Sequence, residues 1–349
     1  MRSALMRYRR PMAMAVAVVL LGVAGAGYVR HVNWHGTLAV IRHASLLIVG
    51  IATVFHLMSL LSKAGVWFVC LRALGAGTYR IVVRATFVGA ALNSLFMGSV
   101  GEVGRVVIMT RATGLRTYAV LTTVALERFL NMGGFAVALC VALLITPLRV
   151  AAAPAALVAA ILVVSAAWLA TRTSGSRRRS AVAGRAGSGA RRFRRLWRVR
   201  VRRIAKIARR VITPRRLAMA VPLTLLDWTC QLASYHLVAR AAHLPIGITG
   251  SLVALLAVNV GLVVRVTPGN VGVFEMAYAT AAHSLGAPMG AALGVAMLIH
   301  LAQDLPTIVL GTLGRPLVFA RDRATARTPG RRTVGRPAIQ SPTPGGTSP

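Results

Sequence analysis

Seven long apolar runs set the terms for this chain, at roughly 11–29, 44–71, 117–145, 150–171, 217–240, 246–265 and 290–314. Crossing the roughly 30 Å of bilayer hydrocarbon takes about 20 apolar residues, and these runs reach or approach that length. In lipid only helices and closed barrels satisfy every backbone polar group. The short alternating segments of a barrel are absent, so the runs are read as helices. Two shorter apolar segments, about 85–104 and 268–287, are interrupted by glycine or proline. The fold class expected is all-α: a polytopic integral membrane bundle of about eight spans, some broken or re-entrant. Composition agrees, with 56% hydrophobic and 14% charged residues against about 45–50% and about 25% in soluble domains.

A net charge of +36 raises nucleic-acid binding as a rival. The distribution of charge argues against it. Eighteen of the 42 basic residues lie in 172–216 and seven in 315–336, and most of the others sit at the ends of apolar runs. That is the pattern of orientation signals and lipid-headgroup contacts, with no aromatic-interleaved reading surface beside it. Placing 1–10, 72–84, 105–116, 172–216 and 315–349 in the cytoplasm puts 35 basic residues inside. The outside then holds four, Arg30, Arg42, Arg149 and Arg240. The bias predicts a multi-pass cell-membrane protein with both termini cytoplasmic. It also requires 85–104 to enter and leave on one face, and 268–287 to cross.

The organisation expected is a basic N-terminus (1–10), a first membrane half (11–171), an Arg-rich cytoplasmic loop (172–216), a second half (217–320) and a disordered tail (321–349). The N-terminal run imitates a signal peptide but is read as a signal anchor, given the spans that follow. Within the loop, Phe193, Leu196, Trp197, Val201, Ile204 and Ile207 recur at mostly three- and four-residue steps. That spacing fits a basic amphipathic helix on anionic lipid, or equally a solvated linker that sets topology. The halves echo one another in GSVGE (98–102) and GNVGVFE (269–275), and paired interrupted segments of this kind point to a transporter's binding site.

The chain has six acidic residues: Glu102, Glu127, Asp227, Glu275, Asp304 and Asp322. All but Asp322 fall within or beside membrane segments. A charge at the bilayer centre costs about 2.5–3.5 kcal/mol on the insertion scale, so these side chains must face one another, basic partners or a wet cavity. Spacing suggests Glu102 with Arg105, Glu127 beside Arg128 and on the face of Asn131, and His300 with Asp304; Asp227 has only Trp228 and Gln231 nearby. Asp227 and the His300/Asp304 pair are read as helix-joining contacts. Glu102, Glu127 and Glu275 are read as functional, two of them beside helix breaks where freed backbone lines cavities. A cavity of mixed charge suits an anionic or zwitterionic lipid headgroup.

Enzymatic signatures are missing: there is no G-x-S-x-G, no H-E-x-x-H and no P-loop, and no cofactor is expected. The outer-loop histidines His31, His35 and His43 are read as interfacial. Cys70, Cys140 and Cys230 lack metal-ligand spacing and are read as buried free thiols.

Two motifs, NSLFMGSVGEVGRVVIMTRATG (93–114) with ERFLN (127–131), and TPGNVGVFE (267–275), resemble the lysylphosphatidylglycerol synthase transmembrane-region family of flippase-like membrane proteins. The first is similar to the family's Gly-Glu-x-x-Arg segment and later Glu-Arg pair, the second to its T-P-G-G-x-G-x-x-E. The likeness spans about residues 10–320. It implies a module that moves or positions lipids, with Glu102, Arg105, Glu127, Arg128, Pro268, Gly269, Gly272 and Glu275 as matched site candidates. Asn270 joins them as a departure, standing where the family usually has glycine. Asn131 likewise stands where the family often has Asp. Lysyl-transferring members carry a large soluble catalytic domain after the membrane region; about 30 residues follow it here, so aminoacyl transfer is not carried over. The function expected is headgroup passage through a polar groove lined by Glu102/Arg105 and Glu275, with Glu127/Arg128 as a gating or anchoring pair. Two other classes stay open: a scaffold recruiting a membrane enzyme through the Arg-rich loop, and a membrane-embedded transferase using a glutamate as base.

Overall fold

The computed structural model of the protein describes residues 34–96, 99–145, 207–263 and 267–313. The signal-anchor run, the run at 150–171, nearly all of the Arg-rich loop, the tail and Arg265 lie outside them. Every regular element among the described residues is helical. In chain order these are α1 Trp34–His43, α2 Leu46–Arg72, α3 Tyr79–Leu95, α4 Val100–Thr113, α5 Thr117–Ile145, α6 Pro214–Ala241, α7 Ile248–Gly261, a 3₁₀ turn Pro268–Asn270, α8 Val273–Ser284 and α9 Met289–Leu313.

Length sorts the helices into two kinds. At 1.5 Å per residue, α2, α5, α6 and α9 are each about 38–44 Å long, enough to cross a bilayer. Three of them, α2, α5 and α9, are apolar enough as well. α6 has the length, but Asp227, Gln231 and arginines at both ends make it more polar; it runs beside α2 for most of its length, in the most extensive helix pair of the fold. The other kind is short. α4, α7 and α8 have 14, 14 and 12 residues, about 18–21 Å each and too short to span alone.

The short helices form two antiparallel hairpins. In the first, α3 returns as α4. A Cβ on Gly101 would lie 1.9 Å from Gly89 O, and one on Gly89 would lie 2.3 Å from Arg105 Cγ. Two glycines therefore let these helices touch backbone to backbone, as small residues do inside membranes. Ser99, at the N-cap of α4, makes no side-chain cap bond. Asn93 supplies one from across the hairpin, its Oδ1 accepting from Gly101 N at 2.9 Å. Asn93→Ala is expected to lower stability by about 1 kcal/mol, the usual loss for a missing N-cap, read as a lower melting temperature of the detergent-solubilised chain.

The second hairpin lies where residues 246–265 and 268–287 were expected to cross the membrane in turn: α7 and α8 pack antiparallel, Gly261 on Ala277 and Gly250 on Leu285. α7 stops at Gly261 and Thr267–Gly272 turns the chain. Gly269, Asn270 and Gly272 there have φ of 60°, 60° and 87°. A hairpin and two crossings return the chain to the same face, so the charge bias is met either way.

The hairpins meet at their tips, where a Cβ on Gly269 would lie 2.5 Å from Ser94 O. Around the tips lie two apolar clusters. One joins Tyr235, Leu255, Phe274, Tyr278 and Ile299 of α6–α9; the other joins Trp67, Leu71, Val82, Met109 and Val120 of α2–α5. Leu46, Leu47, Phe129 and Leu144 are strongly exposed, as lipid-facing residues would be. Two smaller expectations change. Residues 34–43, read as outer loop, form α1, carrying His35 and His43. Cys140 is exposed on α5, while Cys70 and Cys230 are buried.

Candidate functional site

Among the described residues, three charged nodes lie in the helical bundle. The first sits where α4 meets α5. Arg105 Nη2 donates to Glu127 Oε2 at 3.0 Å, and its Nη1 reaches Glu102 Oε2 at 3.4 Å. Arg128 Nη2 donates to Glu102 Oε1. The result is a four-membered alternation, Arg128–Glu102–Arg105–Glu127. Its inner pair is dry, with Arg105 4% and Glu127 2% exposed, while Glu102 is 19% and Arg128 46% exposed. The Trp67 ring lies under the Arg105 guanidinium, 4.1 Å from its centroid, and Trp67 Nε1 donates to Thr123 Oγ1. An arginine over an indole face gains cation–π attraction. Glu102 also stands in the first turn of α4, where the helix dipole favours a negative charge.

This geometry revises the pairing of Glu127 with Arg128. Consecutive helical residues point about 100° apart, a 3.6-residue turn allowing nothing closer. Glu127 therefore faces the bundle and Arg128 its surface, and each finds its partner on α4.

The second node lies at the hairpin tips. Glu275 Oε2 accepts from Gly272 N at 2.6 Å, closing the first turn of α8. Its Oε1 lies 2.6 Å from His300 Nδ1. His300 Nε2 lies 3.0 Å from Gly269 O and 3.2 Å from Asp304 Oδ2. Ser94 Oγ of the other hairpin donates to Asp304 Oδ1 at 2.8 Å. Both ring nitrogens of His300 thus face acceptors, which only a doubly protonated ring can serve with two donors. Phe274 stacks on the ring at 4.5 Å between centroids. The contact from His300 to Asp304 follows their i, i+4 spacing, but these residues are joined to Glu275, from which the sequence reading had separated them.

The third node is Asp227, 1% exposed. It accepts from Ser59 Oγ at 2.5 Å, Asn131 Nδ2 at 3.0 Å and Gln231 Nε2 at 2.9 Å, with Lys63 Nζ at 3.7 Å. Three helices, α2, α5 and α6, are tied at one carboxylate, so its neighbours extend well beyond Trp228 and Gln231. Lys63, Glu127, Asn131 and Asp227 line one narrow gap, too tight for a water-sized sphere. Through it the first and third nodes adjoin.

The family model described as Lysylphosphatidylglycerol synthase TM region matches residues 12–311, the two hairpins and all three nodes among them. The chain belongs to that family. No curated protein matches it. Membership in the lysylphosphatidylglycerol synthase TM region family makes this a membrane protein of lipid-related processes. Its matched positions assemble as two groups: Glu102, Arg105, Glu127 and Arg128 in the first node, and Pro268, Gly269, Asn270, Gly272 and Glu275 at the tip. Asn270 departs from the family's glycine at little conformational loss, since asparagine is among the residues that best tolerate a φ of 60°. The sequence reading assigned no role to Ser94, His56 or Lys63. The signal for the last two was present: His56, Ser59 and Lys63 recur at steps of three and four within the apolar α2.

Proposed function

We propose that this protein moves a polar lipid headgroup across the cell membrane between its two hairpins, with the acyl tails remaining in the bilayer. The observation that carries the reading is the Arg128–Glu102 pair: half open to the surroundings and backed by a second, dry pair. An anionic or zwitterionic headgroup has the chemistry to enter by exchange, its phosphate taking Arg128 and, where present, its amine taking Glu102. The inner pair, Arg105 and Glu127, holds the α4–α5 junction while the outer pair opens. Further along, Glu275 and the Pro268–Gly272 turn, Asn270 included, form the far wall. With the basic loops cytoplasmic, the first hairpin rises from the inner leaflet and the second descends from the outer, so their tips divide the route. In the closed arrangement every carboxylate in the nodes is matched. Passage therefore requires the tips to part.

The test is a double substitution, Glu102→Gln with Glu275→Gln, in vesicles of phosphatidylcholine and phosphatidylglycerol carrying a fluorescent phosphatidylglycerol. A charge-assisted hydrogen bond is worth about 1.5–3 kcal/mol, so transbilayer movement is expected to fall about tenfold or more with the fold retained. Movement at the parent rate in the double variant would show the reading to be wrong.

A further inference from the structure

The third node holds a cation that its carboxylate does not fully use. Lys63 is one of two lysines among the 42 basic residues of the chain, the other being Lys206. It stands on α2 about 14 Å along the axis from the helix end at Arg72. Side chains on a helix lean toward its N-terminus, so Lys63 leans away from that nearer end. Its ammonium therefore lies at hydrocarbon depth, where a charge is costly unless something holds it. What holds it is incomplete. Asp227 Oδ2 is 3.7 Å away, beyond hydrogen-bond length, and that carboxylate is already supplied by Ser59, Asn131 and Gln231. Glu127, the other carboxylate lining the gap, is taken by Arg105. The three N–H donors of Lys63 make no hydrogen bond among the described residues, and the side chain is 27% exposed. The surplus is of donors and positive charge, so the ligand that fits is an anionic acceptor.

We infer that Lys63 is a second seat for the lipid phosphate, at the mouth of the gap between α2, α5 and α6. This rests on the reading above that a headgroup enters at Arg128. Asn131, which lines the gap with Lys63, is a helical turn along α5 from Arg128. A phosphate leaving Arg128 thus meets its next cation one turn away. The gap itself is too tight for a headgroup, so the phosphate sits at its mouth and the acyl chains stay outside. Lysine suits this place better than the arginine found at every other basic position but one. Arginine grips phosphate with a two-pronged fork, whereas lysine offers a point charge with rotating donors, a seat that can be left. The rival role, balancing Asp227, accounts for the charge of Lys63 but not for its unserved donors.

The experiment uses the full chain in dodecyl maltoside, with dioctanoylphosphatidylglycerol as the probe. Amines are methylated reductively and the peptide carrying Lys63 is followed by mass spectrometry, with N-acetyl-lysine in the same tube as reagent control. The phospholipid is expected to slow methylation of Lys63 about tenfold, the scale of one charge-assisted hydrogen bond. Dioctanoylglycerol, which lacks the phosphate, and inorganic phosphate at the same concentration are expected to leave the rate unchanged. No protection by the phospholipid overturns the seat, as does a Lys63 that fails to react without lipid. Equal protection by inorganic phosphate overturns the assignment to lipid. These outcomes need no variant, so they stand even where a substitution fails to fold. Transbilayer movement of fluorescent phosphatidylglycerol in phosphatidylcholine vesicles is the second readout. Lys63→Met with Asp227→Asn removes one charge of each sign and is expected to move lipid about tenfold more slowly than the parent, while Lys63→Arg keeps more of the rate. Movement at the parent rate in the double variant means that Lys63 only balances Asp227, and overturns the proposal. Protection without any movement in the parent overturns the transport reading and keeps the phosphate seat; movement without protection overturns the seat alone.

Discussion

Replacing Arg105 with alanine is expected to destabilise the protein by about 3–5 kcal/mol, the loss typical when one partner of a buried ion pair is removed. The magnitude follows from what stays behind. Glu127 is 2% exposed, and among the described residues its only salt-bridge partner is Arg105. With the guanidinium gone it is a carboxylate sealed among apolar helices. Trp67 loses the cation on its face at the same time. Glu102 fares better, since Arg128 still holds it. Against a total stability of about 5–15 kcal/mol, a loss of this size leaves the fold marginal, seen as a sharply lower melting temperature and poor yield from the membrane. Glu127→Gln is expected to be milder, because Arg105 keeps both Glu102 and Trp67. A paired replacement, Arg105→Met with Glu127→Leu, should recover most of the loss, as apolar substitutes of similar volume often do for buried pairs. An Arg105→Ala protein melting with the parent would mean that water reaches Glu127.

How much of this could be read beforehand depends on the range of the force involved. Lipid demands long apolar runs, so α2, α5, α6 and α9 stand out from neighbouring residues alone. Gly and Pro mark the helix breaks, and both broken segments appear where the interruptions predict. Whether a broken segment crosses or turns back is another matter. α7 ends at Gly261 although the apolar run continues to Val264, and the basic-residue count is blind to the difference between a hairpin and two crossings. Side-chain pairing was less legible still. Glu102 and Arg105 are one turn apart on a single helix and do meet. Glu127 reaches Arg105 only because α5 packs on α4, and Glu275 reaches His300 only because α8 packs on α9; no spacing encodes either contact. His56 and Lys63 sat at helical steps in view, but within a run read only as a long apolar span they were given no role.

The hairpin tips supply the second large expectation, Gly269→Ala. Gly269 has a φ of 60°, and a Cβ there would come 2.5 Å from Ser94 O, a backbone atom that no rotamer change can move aside. Two effects combine. The left-handed backbone costs a non-glycine residue about 1–2 kcal/mol, and the clash forces one tip away from the other. Withdrawal stretches the bond from His300 Nε2 to Gly269 O and separates Ser94 from Asp304, so the closed junction of the two hairpins is what fails. Gly272→Ala separates the two effects. Gly272 also sits at positive φ, 87°, but a Cβ there meets nothing within 4 Å. Both variants should therefore melt below the parent. Only Gly269→Ala should also change lipid movement, labelled lipid crossing faster than in the parent in reconstituted vesicles because the tips no longer close. If the two variants behave alike in that assay, backbone strain accounts for everything and contact between the tips governs nothing.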